Sequence, residues 1–278
     1  MTTDIDVQTH ARTLALRSPG HLRVGPFTVR YDPDWSIKYA NYAIPDRDAE
    51  PTAADVAALV TAFRERGRLP RLEFLPGWAP AVEPALLAAG FTVENRAPVL
   101  ACAPGGLLPP KPVDALVIAE PVTDAEFDAA ALVQHRGYGG TGEPEGGEAA
   151  WLRAAAGGGG AAALAALDGV PVGAGGCSVP VDGLSELAGV AVAAPFRGRG
   201  IGATLAAHLT ATAFERGCRA VWLEPADADV ERIYAGIGYR RVGEKLNVSL
   251  AEPDVTDEGP VITPAGSDAP LVDGGADG

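Results

Sequence analysis

The sequence has few cysteines, few basic residues and no long apolar run, and each of these shortages excludes a class of protein. The three cysteines, Cys102, Cys177 and Cys218, lie far apart and follow no metal-ligand spacing. We therefore expect reduced thiols in a cytoplasmic protein, and no metal site. No apolar stretch approaches the length of a membrane span, and the acidic start lacks the layout of a signal peptide.

Acidic residues outnumber basic ones by 36 to 22, which gives a formal net charge of −14. Broad binding to nucleic acid or to a membrane surface needs a basic face, so we expect neither partner. The charge is compatible with a cationic substrate. Segment 251–278 carries seven acidic residues and no basic one, and it is rich in proline and glycine. This composition predicts a disordered tail, with an acidic docking segment as the alternative.

The clearest chemical signal is a glycine-rich turn at 197–202, between a hydrophobic strand and a helix. Glycine lets several backbone N–H groups point at one place without steric cost. A helix that begins near Ile201 adds its unpaired first N–H groups and the positive end of its dipole. Arg197 and Arg199 add local positive charge. Together these features predict an anion site of the kind that holds a pyrophosphate, although a tight strand-to-helix connection is the alternative.

Two common nucleotide-binding motifs do not fit this turn. A Walker loop needs Lys followed by Ser or Thr after its last glycine, whereas Ala203 and Thr204 stand there. The dinucleotide fingerprint G-x-G-x-x-G needs a different spacing from that of Gly198, Gly200 and Gly202.

The string Arg197-x-x-Gly200-x-Gly202 resembles the GNAT acetyltransferase superfamily, in which it binds the pyrophosphate of acetyl-CoA. The residues downstream strengthen the resemblance. Segment 220–224 predicts a buried strand, and 229–239 is similar to the late helix of the family, with its tyrosine and its terminal Gly-aromatic pair. The resemblance covers about 114–250. It implies an α/β fold with a mixed, mostly antiparallel central sheet flanked by helices.

The first half of the chain repeats the second. Segment 57–67 matches 207–217 at an offset of 150, and Gly90-Phe91 matches Gly238-Tyr239 at an offset of 148. Chance similarity in an alanine-rich chain is the alternative. The repeat predicts two tandem GNAT-like domains, 1–103 and 114–250, joined by a linker at 104–113 and followed by the tail 251–278. The first-half turn has acidic residues and a proline in place of the glycines, which predicts a degenerate domain without a cofactor site.

Other segments are predicted from periodicity and turn residues. Segments 22–31 and 37–44 predict strands, and Thr123-Asp-Ala-Glu126 predicts the start of a helix that reaches about residue 134. Segment 135–147 is predicted as a long flexible loop. In the family the corresponding region lines the acceptor pocket, so His135 is a candidate for substrate contact.

The resemblance also implies roles for individual residues. Tyr234 corresponds to the general acid near the thioester sulfur, with a core aromatic as the alternative. Glu186 stands where many members carry a base, with an exposed strand-edge carboxylate as the alternative, and Glu224 is a weaker candidate. Asp227 stands where the family often has a cofactor-binding Asn, and an ionised carboxylate cannot donate a hydrogen bond. The remaining candidates for cofactor binding are Val190, Ala191, Val192, Arg197, Gly198, Arg199, Gly200, Ile201 and Gly202.

We therefore expect an acetyl-CoA-dependent N-acetyltransferase that moves an acetyl group to a primary amine of a small molecule by direct attack in a ternary complex. A thiol-pathway acetyltransferase similar to mycothiol synthase, or an enzyme acting on aminoglycosides or secondary metabolites, is an alternative substrate assignment. A non-catalytic acyl-CoA-binding or regulatory protein is the alternative from another class. An oligomer is possible.

Overall fold

The computed structural model of the chain describes residues 4–18, 20–144 and 146–250. The predicted acidic tail at 251–278 lies outside the described residues. Within the described ranges, no helix combines the length and the apolar character needed to cross a lipid bilayer.

Helices and strands alternate in a similar order in the two halves of the chain. The first half contains α1 (Asp4–Arg17), β1 (His21–Val24), β2 (Phe27–Arg30), β3 (Tyr42–Pro45), α2 (Ala53–Arg64), β4 (Arg71–Phe74), α3 (Val82–Ala88) and β5 (Thr92–Cys102). The second contains β6 (Leu116–Ala119), α4 (Asp124–Gly137), α5 (Gly147–Gly157), β7 (Ala161–Leu167), β8 (Val170–Cys177), β9 (Leu184–Val192), α6 (Ile201–Glu215), β10 (Ala220–Leu223), α7 (Ala228–Gly236) and β11 (Arg240–Ser249).

Capping boxes start the matching helices of the two halves. The Thr52 hydroxyl accepts a hydrogen bond from the Asp55 N–H at the start of α2, and the Thr123 hydroxyl accepts one from the Glu126 N–H at the start of α4. In each box the carboxylate accepts a hydrogen bond in return from the threonine N–H. These contacts satisfy N–H groups that the first turn of a helix leaves without partners.

Three segments differ from the sequence-based expectation. The single strand predicted at 22–31 is a hairpin of β1 and β2, because Gly25 turns the chain with a φ of +52°. The strand predicted at 37–44 begins instead with a short 3-10 turn at Lys38–Ala40, since the Asn41 side chain donates hydrogen bonds to the carbonyls of Trp35 and Ile37. The predicted loop at 135–147 is shortened at both ends, because α4 continues to Gly137 and α5 begins at Gly147.

The strands form one sheet in the order β1-β2-β3-β4-β11-β5-β10-β9-β8-β7-β6. The predicted fold class, a mixed and mostly antiparallel sheet flanked by helices, is confirmed. The two halves exchange their last strands: β5 of the first half pairs with β10 of the second, and β11 of the second pairs with β4 of the first. β5 and β11 also pair with each other along most of their length. The division into two domains joined at 104–113 stays a prediction. Neither half forms its part of the sheet without a strand of the other.

The segment predicted as a linker packs closely on the second half. The Leu108 N–H donates a hydrogen bond to the carbonyl of Ile237 at 3.0 Å. Gly238 has a φ of +107°, and a Cβ added there would lie 1.9 Å from the carbonyl oxygen of Gly106. Only glycine fits where these two stretches of backbone meet.

The two faces of the sheet bury different helices. Along β10, Val221 and Leu223 pack in the core formed with Leu205 and Leu209 of α6. Trp222, between them in sequence, points to the opposite face, because successive side chains of a strand alternate. There it packs in a cluster with α1.

Candidate active site

An opening lies between β9 and β10, where their pairing stops early. The two strands run parallel and pair only over Leu184–Glu186 of β9, with Glu186 opposite Trp222. β10 ends at Leu223, whereas β9 continues to Val192. Beyond Glu186, the edge of β9 that faces β10 is therefore open to a ligand that can pair with a strand.

A β-bulge bends β9 beside this opening. In the pairing with β8, Ala188 lies opposite Gly176 and Ala191 lies opposite Ala174. Two residues of β9, Gly189 and Val190, therefore face one residue of β8. Gly189 has a φ of +65°, which favours glycine at the bulge.

Alternation along β9 decides which main-chain groups face the opening. The Ala193 N–H donates a hydrogen bond to the Val172 carbonyl next to β8. In an antiparallel pair, alternate residues direct both main-chain groups to the same neighbour. Ala191 therefore directs its N–H and carbonyl to β8, and Val190 and Val192 direct theirs to the opening. Of the three β9 residues predicted to bind the cofactor, Val190 and Val192 direct main-chain groups to the opening, and Ala191 does not.

Two side chains already bind the carbonyls on this open edge. The Tyr138 hydroxyl donates a hydrogen bond to the Val190 carbonyl at 3.3 Å. The Arg197 Nε donates one to the Val192 carbonyl at 3.0 Å. Sequence reasoning missed Tyr138, which lies just after α4 in the segment predicted as a flexible loop.

The glycine-rich turn follows directly at the end of β9. Gly198 and Gly200 have φ angles of +74° and +84°, and Gly200 caps the N-terminus of α6, which begins at Ile201. A Cβ at Gly198 would meet no atom within 4 Å, and one at Gly202 would lie 3.6 Å from the Val192 side chain. The turn thus combines left-handed backbone, open space and a helix N-terminus, which are the features of an anion site.

The two arginines of the turn brace it through backbone carbonyls. The Arg197 guanidinium also donates a hydrogen bond to the Gly137 carbonyl at 2.6 Å, and so ties the turn to the end of α4. Arg199 donates to the Pro195 carbonyl at 3.2 Å and lies over the Phe196 ring. Both side chains are exposed, so their charge is available to an anion beside α6.

Glu186 lies at the closed end of the opening. Burial raises the pKa of its carboxyl to about 7. The charge of Lys245 opposes this rise, the carboxylates of Glu224 and Glu73 add to it, and Arg30 opposes it. A carboxyl with this pKa can take up and release a proton near neutral pH, as a general base must.

A central ion network lies on the sheet next to Glu186; it consists of Arg71, Glu73, Glu224 and Lys245. The Lys245 Nζ lies 2.5 Å from an oxygen of Glu73 and 2.5 Å from one of Glu224. Arg71 forms an ion pair with the other oxygen of Glu73. Although burial acts in the opposite direction, the charges of Lys245 and Arg71 lower the pKa of Glu73 to about 2. Sequence reasoning proposed Glu224 and missed the other three, because the strand exchange brings them together from distant parts of the chain.

Tyr234 of α7 is buried, and its ring lies edge-on to that of Tyr239 with 5.8 Å between centroids. Burial, and then repulsion from the neighbouring Tyr138, raise the pKa of its phenol above the ordinary value. Tyr234 is therefore protonated at neutral pH, as a proton donor must be, and it lies near the residue that binds the Val190 carbonyl. Burial, with a smaller effect of Tyr39, also raises the pKa of Tyr138 to about 12.

The Asp227 side chain, a candidate for cofactor binding, binds backbone N–H groups of its own helix. It caps α7, since one of its carboxylate oxygens accepts hydrogen bonds from the N–H groups of Asp229 and Val230, both at 2.8 Å.

His135 lies in the last turn of α4, where its ring contacts the Thr141 carbonyl and the Glu148 carboxylate. Within the described residues, no group of three or more His, Cys, Asp and Glu side chains is arranged to hold a metal ion.

The opened parallel strand pair, the bulge and the glycine turn before α6 together offer a strand edge and an anion site to one extended ligand. Residues 131–239 match the sequence model of the Acetyltransferase (GNAT) family, which confirms the predicted resemblance to that superfamily. No curated protein matches the sequence.

Solved GNAT structures resemble most of the chain. A GCN5-related N-acetyltransferase from Kribbella flavida is 25% identical, with a TM-score of 0.75 over 90% of this chain and 96% of that one. One from Sphaerobacter thermophilus is 14% identical, with a TM-score of 0.63 over 89% of each chain. A tandem GNAT protein from the clavulanic acid biosynthesis pathway is 12% identical, with a TM-score of 0.55 over 84% of each chain. The last two likenesses show the fold alone.

Proposed function

We propose that the protein is an acetyl-CoA-dependent N-acetyltransferase that acetylates a primary amine of a small molecule by direct attack. The observation that carries this proposal is the position of the turn Arg197–Gly202 at the end of the open edge of β9. One extended ligand can place its pyrophosphate at the α6 N-terminus and its amide-containing arm along Val190 and Val192.

Glu186 would accept the proton that the amine must lose before it attacks. An alkylamine is protonated at neutral pH, since its pKa is roughly 10. A carboxylate whose pKa is near 7 takes up this proton more readily than an ordinary glutamate, either directly or through a water molecule.

The Val190 N–H would stabilise the carbonyl oxygen of the acetyl group as negative charge develops there. Tyr234 would donate its proton to the departing thiolate, whose thiol has a pKa of roughly 8.5. The position of Tyr234 near Tyr138, which binds the Val190 carbonyl, supports this role.

We further propose that the first half, residues 1–103, is a degenerate domain of the same type. The N-terminus of α2 stands where the second half has its anion site. There the Thr52 hydroxyl already occupies the Asp55 N–H and the Asp55 carboxylate occupies the Thr52 N–H, and this carboxylate would repel a pyrophosphate. Segment 104–113 would then join this domain to the catalytic one at 114–250.

Calorimetric titration with acetyl-CoA tests the cofactor site. Gly202 lies in the first turn of α6 with space for a Cβ, so Gly202→Ala preserves the site, whereas Gly202→Glu adds a negative charge that a helix N-terminus tolerates. We expect one ligand per chain for wild type and Gly202→Ala, and at least about tenfold weaker binding for a folded Gly202→Glu. Equal binding by all three would contradict the site, two ligands per chain would contradict a degenerate first half, and no binding by wild type would reject the acetyltransferase.

A thiol-release assay with a panel of primary amines then tests catalysis. We expect turnover that Glu186→Gln and Tyr234→Phe lower by about a hundredfold, since each variant loses one proton transfer. Cofactor binding without turnover of any amine would favour a non-catalytic acyl-CoA-binding protein. Turnover limited to amines on the pathway to a small thiol would favour the mycothiol-synthase-like alternative.

A further inference from the structure

The last turn of α4 and the residue that follows the helix each make a hydrogen bond to the bulge of β9. The Gln134 Nε2 donates to the Gly189 carbonyl at 2.7 Å, and the Tyr138 hydroxyl donates to the Val190 carbonyl at 3.3 Å. Residues four apart lie on the same face of a helix, so one face reaches two consecutive peptide groups. Gln134 is 2% exposed and is held between α4 and the sheet.

The first of these bonds fixes the direction of the Val190 N–H. In a trans peptide the carbonyl of one residue and the N–H of the next lie in one plane and point in opposite directions. A donor that holds the Gly189 carbonyl toward α4 therefore turns the Val190 N–H away from α4. Glycine at φ +65° would otherwise allow this peptide plane to rotate.

The contact is close and costly in stability, which argues for a purpose beyond packing. A Cβ at Gly189 would lie 2.3 Å from the Gln134 Nε2, so the amide reaches the bulge only because residue 189 is glycine. The Gln134 Oε1 is buried, and among the described residues it has no hydrogen-bond partner. A buried polar atom without a partner destabilises the fold, and an apolar side chain of the same shape would avoid that cost.

We propose that Gln134 is a positioning residue for acetyl transfer, which orients the Val190 N–H toward the carbonyl oxygen of the acetyl group by holding the Gly189 peptide. This inference rests on the proposed function. The two can be tested separately, because Gln134 should affect only the contact with the acetyl group, whereas the cofactor site should bind the rest of acetyl-CoA.

The test compares the affinities for acetyl-CoA and for free CoA, which lacks the acetyl carbonyl. Gln134→Met keeps the shape of the side chain and removes its donor. Gln8→Met is the matched control, since Gln8 is 1% exposed and also forms a hydrogen bond to the backbone, at the Leu75 N–H far from the bulge. We expect wild type and Gln8→Met to prefer acetyl-CoA by about threefold to tenfold, as one hydrogen bond provides. Gln134→Met should lose this preference and keep its affinity for CoA.

Turnover gives a second readout once an acceptor amine is known. Gln134→Met should lower kcat by about tenfold or more and leave KM for acetyl-CoA within about threefold, because the contact strengthens in the transition state. A purely structural role would weaken acetyl-CoA and CoA equally, and that outcome would overturn the proposal. So would a wild type that binds both ligands equally well.

Gln134→Glu keeps the test decisive if the methionine variant does not fold. A protonated glutamate can donate to the Gly189 carbonyl, whereas an ionised one cannot. The preference for acetyl-CoA should therefore be absent at pH 8 and return as the pH falls. A preference that is independent of pH would contradict the inference, whereas a wild type that binds neither ligand would reject the cofactor site itself.

Discussion

Glu186→Gln should change how the stability of the protein depends on pH. The pKa of Glu186 is raised from 4.5 to about 7 in the folded chain, so the folded state binds a proton that the unfolded state releases. The resulting stabilisation is fully present below pH 4.5 and is lost as the pH rises through 7. Between pH 5 and pH 8 this amounts to about 2 kcal/mol, because each pKa unit corresponds to about 1.4 kcal/mol and the side chain is only partly shielded from water.

Urea unfolding at pH 5 and at pH 8 measures this difference. We subtract the free energy of unfolding of Glu186→Gln from that of wild type. This difference should be about 2 kcal/mol larger at pH 5 than at pH 8. Glu215→Gln, which removes an exposed glutamate from α6, controls for the loss of one charge. If the stability difference between Glu186→Gln and wild type is the same at both pH values, the carboxyl does not titrate near neutrality in the folded chain. Its role as a base with a raised pKa would then be refuted.

Two further predictions concern stability. Lys245→Met leaves two buried carboxylates of the central ion network without their shared cation, so the free energy of unfolding should fall by about 3–5 kcal/mol in urea titrations; the exposed Lys111→Met should change it by less than about 0.5 kcal/mol. Gly238→Ala should lower it by more than about 2 kcal/mol, because the residue has a φ of +107° and its Cβ would overlap the Gly106 carbonyl. The nearby Gly236→Ala, with nothing within 4 Å of its Cβ, should not destabilise the protein, and equal effects of the two glycine variants would contradict the argument.

The sequence was sufficient to locate the turn that begins at Arg197, because its signal is local. Glycines at fixed spacing, a preceding apolar strand and a following helix lie within about twenty residues, and each has its own physical reason. The same holds for the helices that begin after Thr52 and Thr123, whose capping boxes are formed by residues three apart.

Non-local features could not be predicted in this way. Glu73 and Lys245 are 172 positions apart in the sequence, yet they form an ion pair because β11 lies beside β4. The pattern of a strand does not state which strand will lie beside it. Gln134 was recognised only as the end of a helix, since nothing in its neighbours indicates that it reaches the bulge at Gly189.

The exchange of β5 and β11 has a consequence for how the chain can be made. While the first half emerges from the ribosome, β4 has only one of its two neighbours, and β5 has neither of its own. The edges of β4 and β5 that face each other gain a partner only when the chain has been synthesised as far as Ser249, because β11 lies between them and is the last strand of the second half. During that interval the unpaired edges of β4 and β5 are exposed to other nascent chains. Loss of β11 would make this exposure permanent, and loss of the first half would leave β10 and β11 without β5, so we expect each half to need the other.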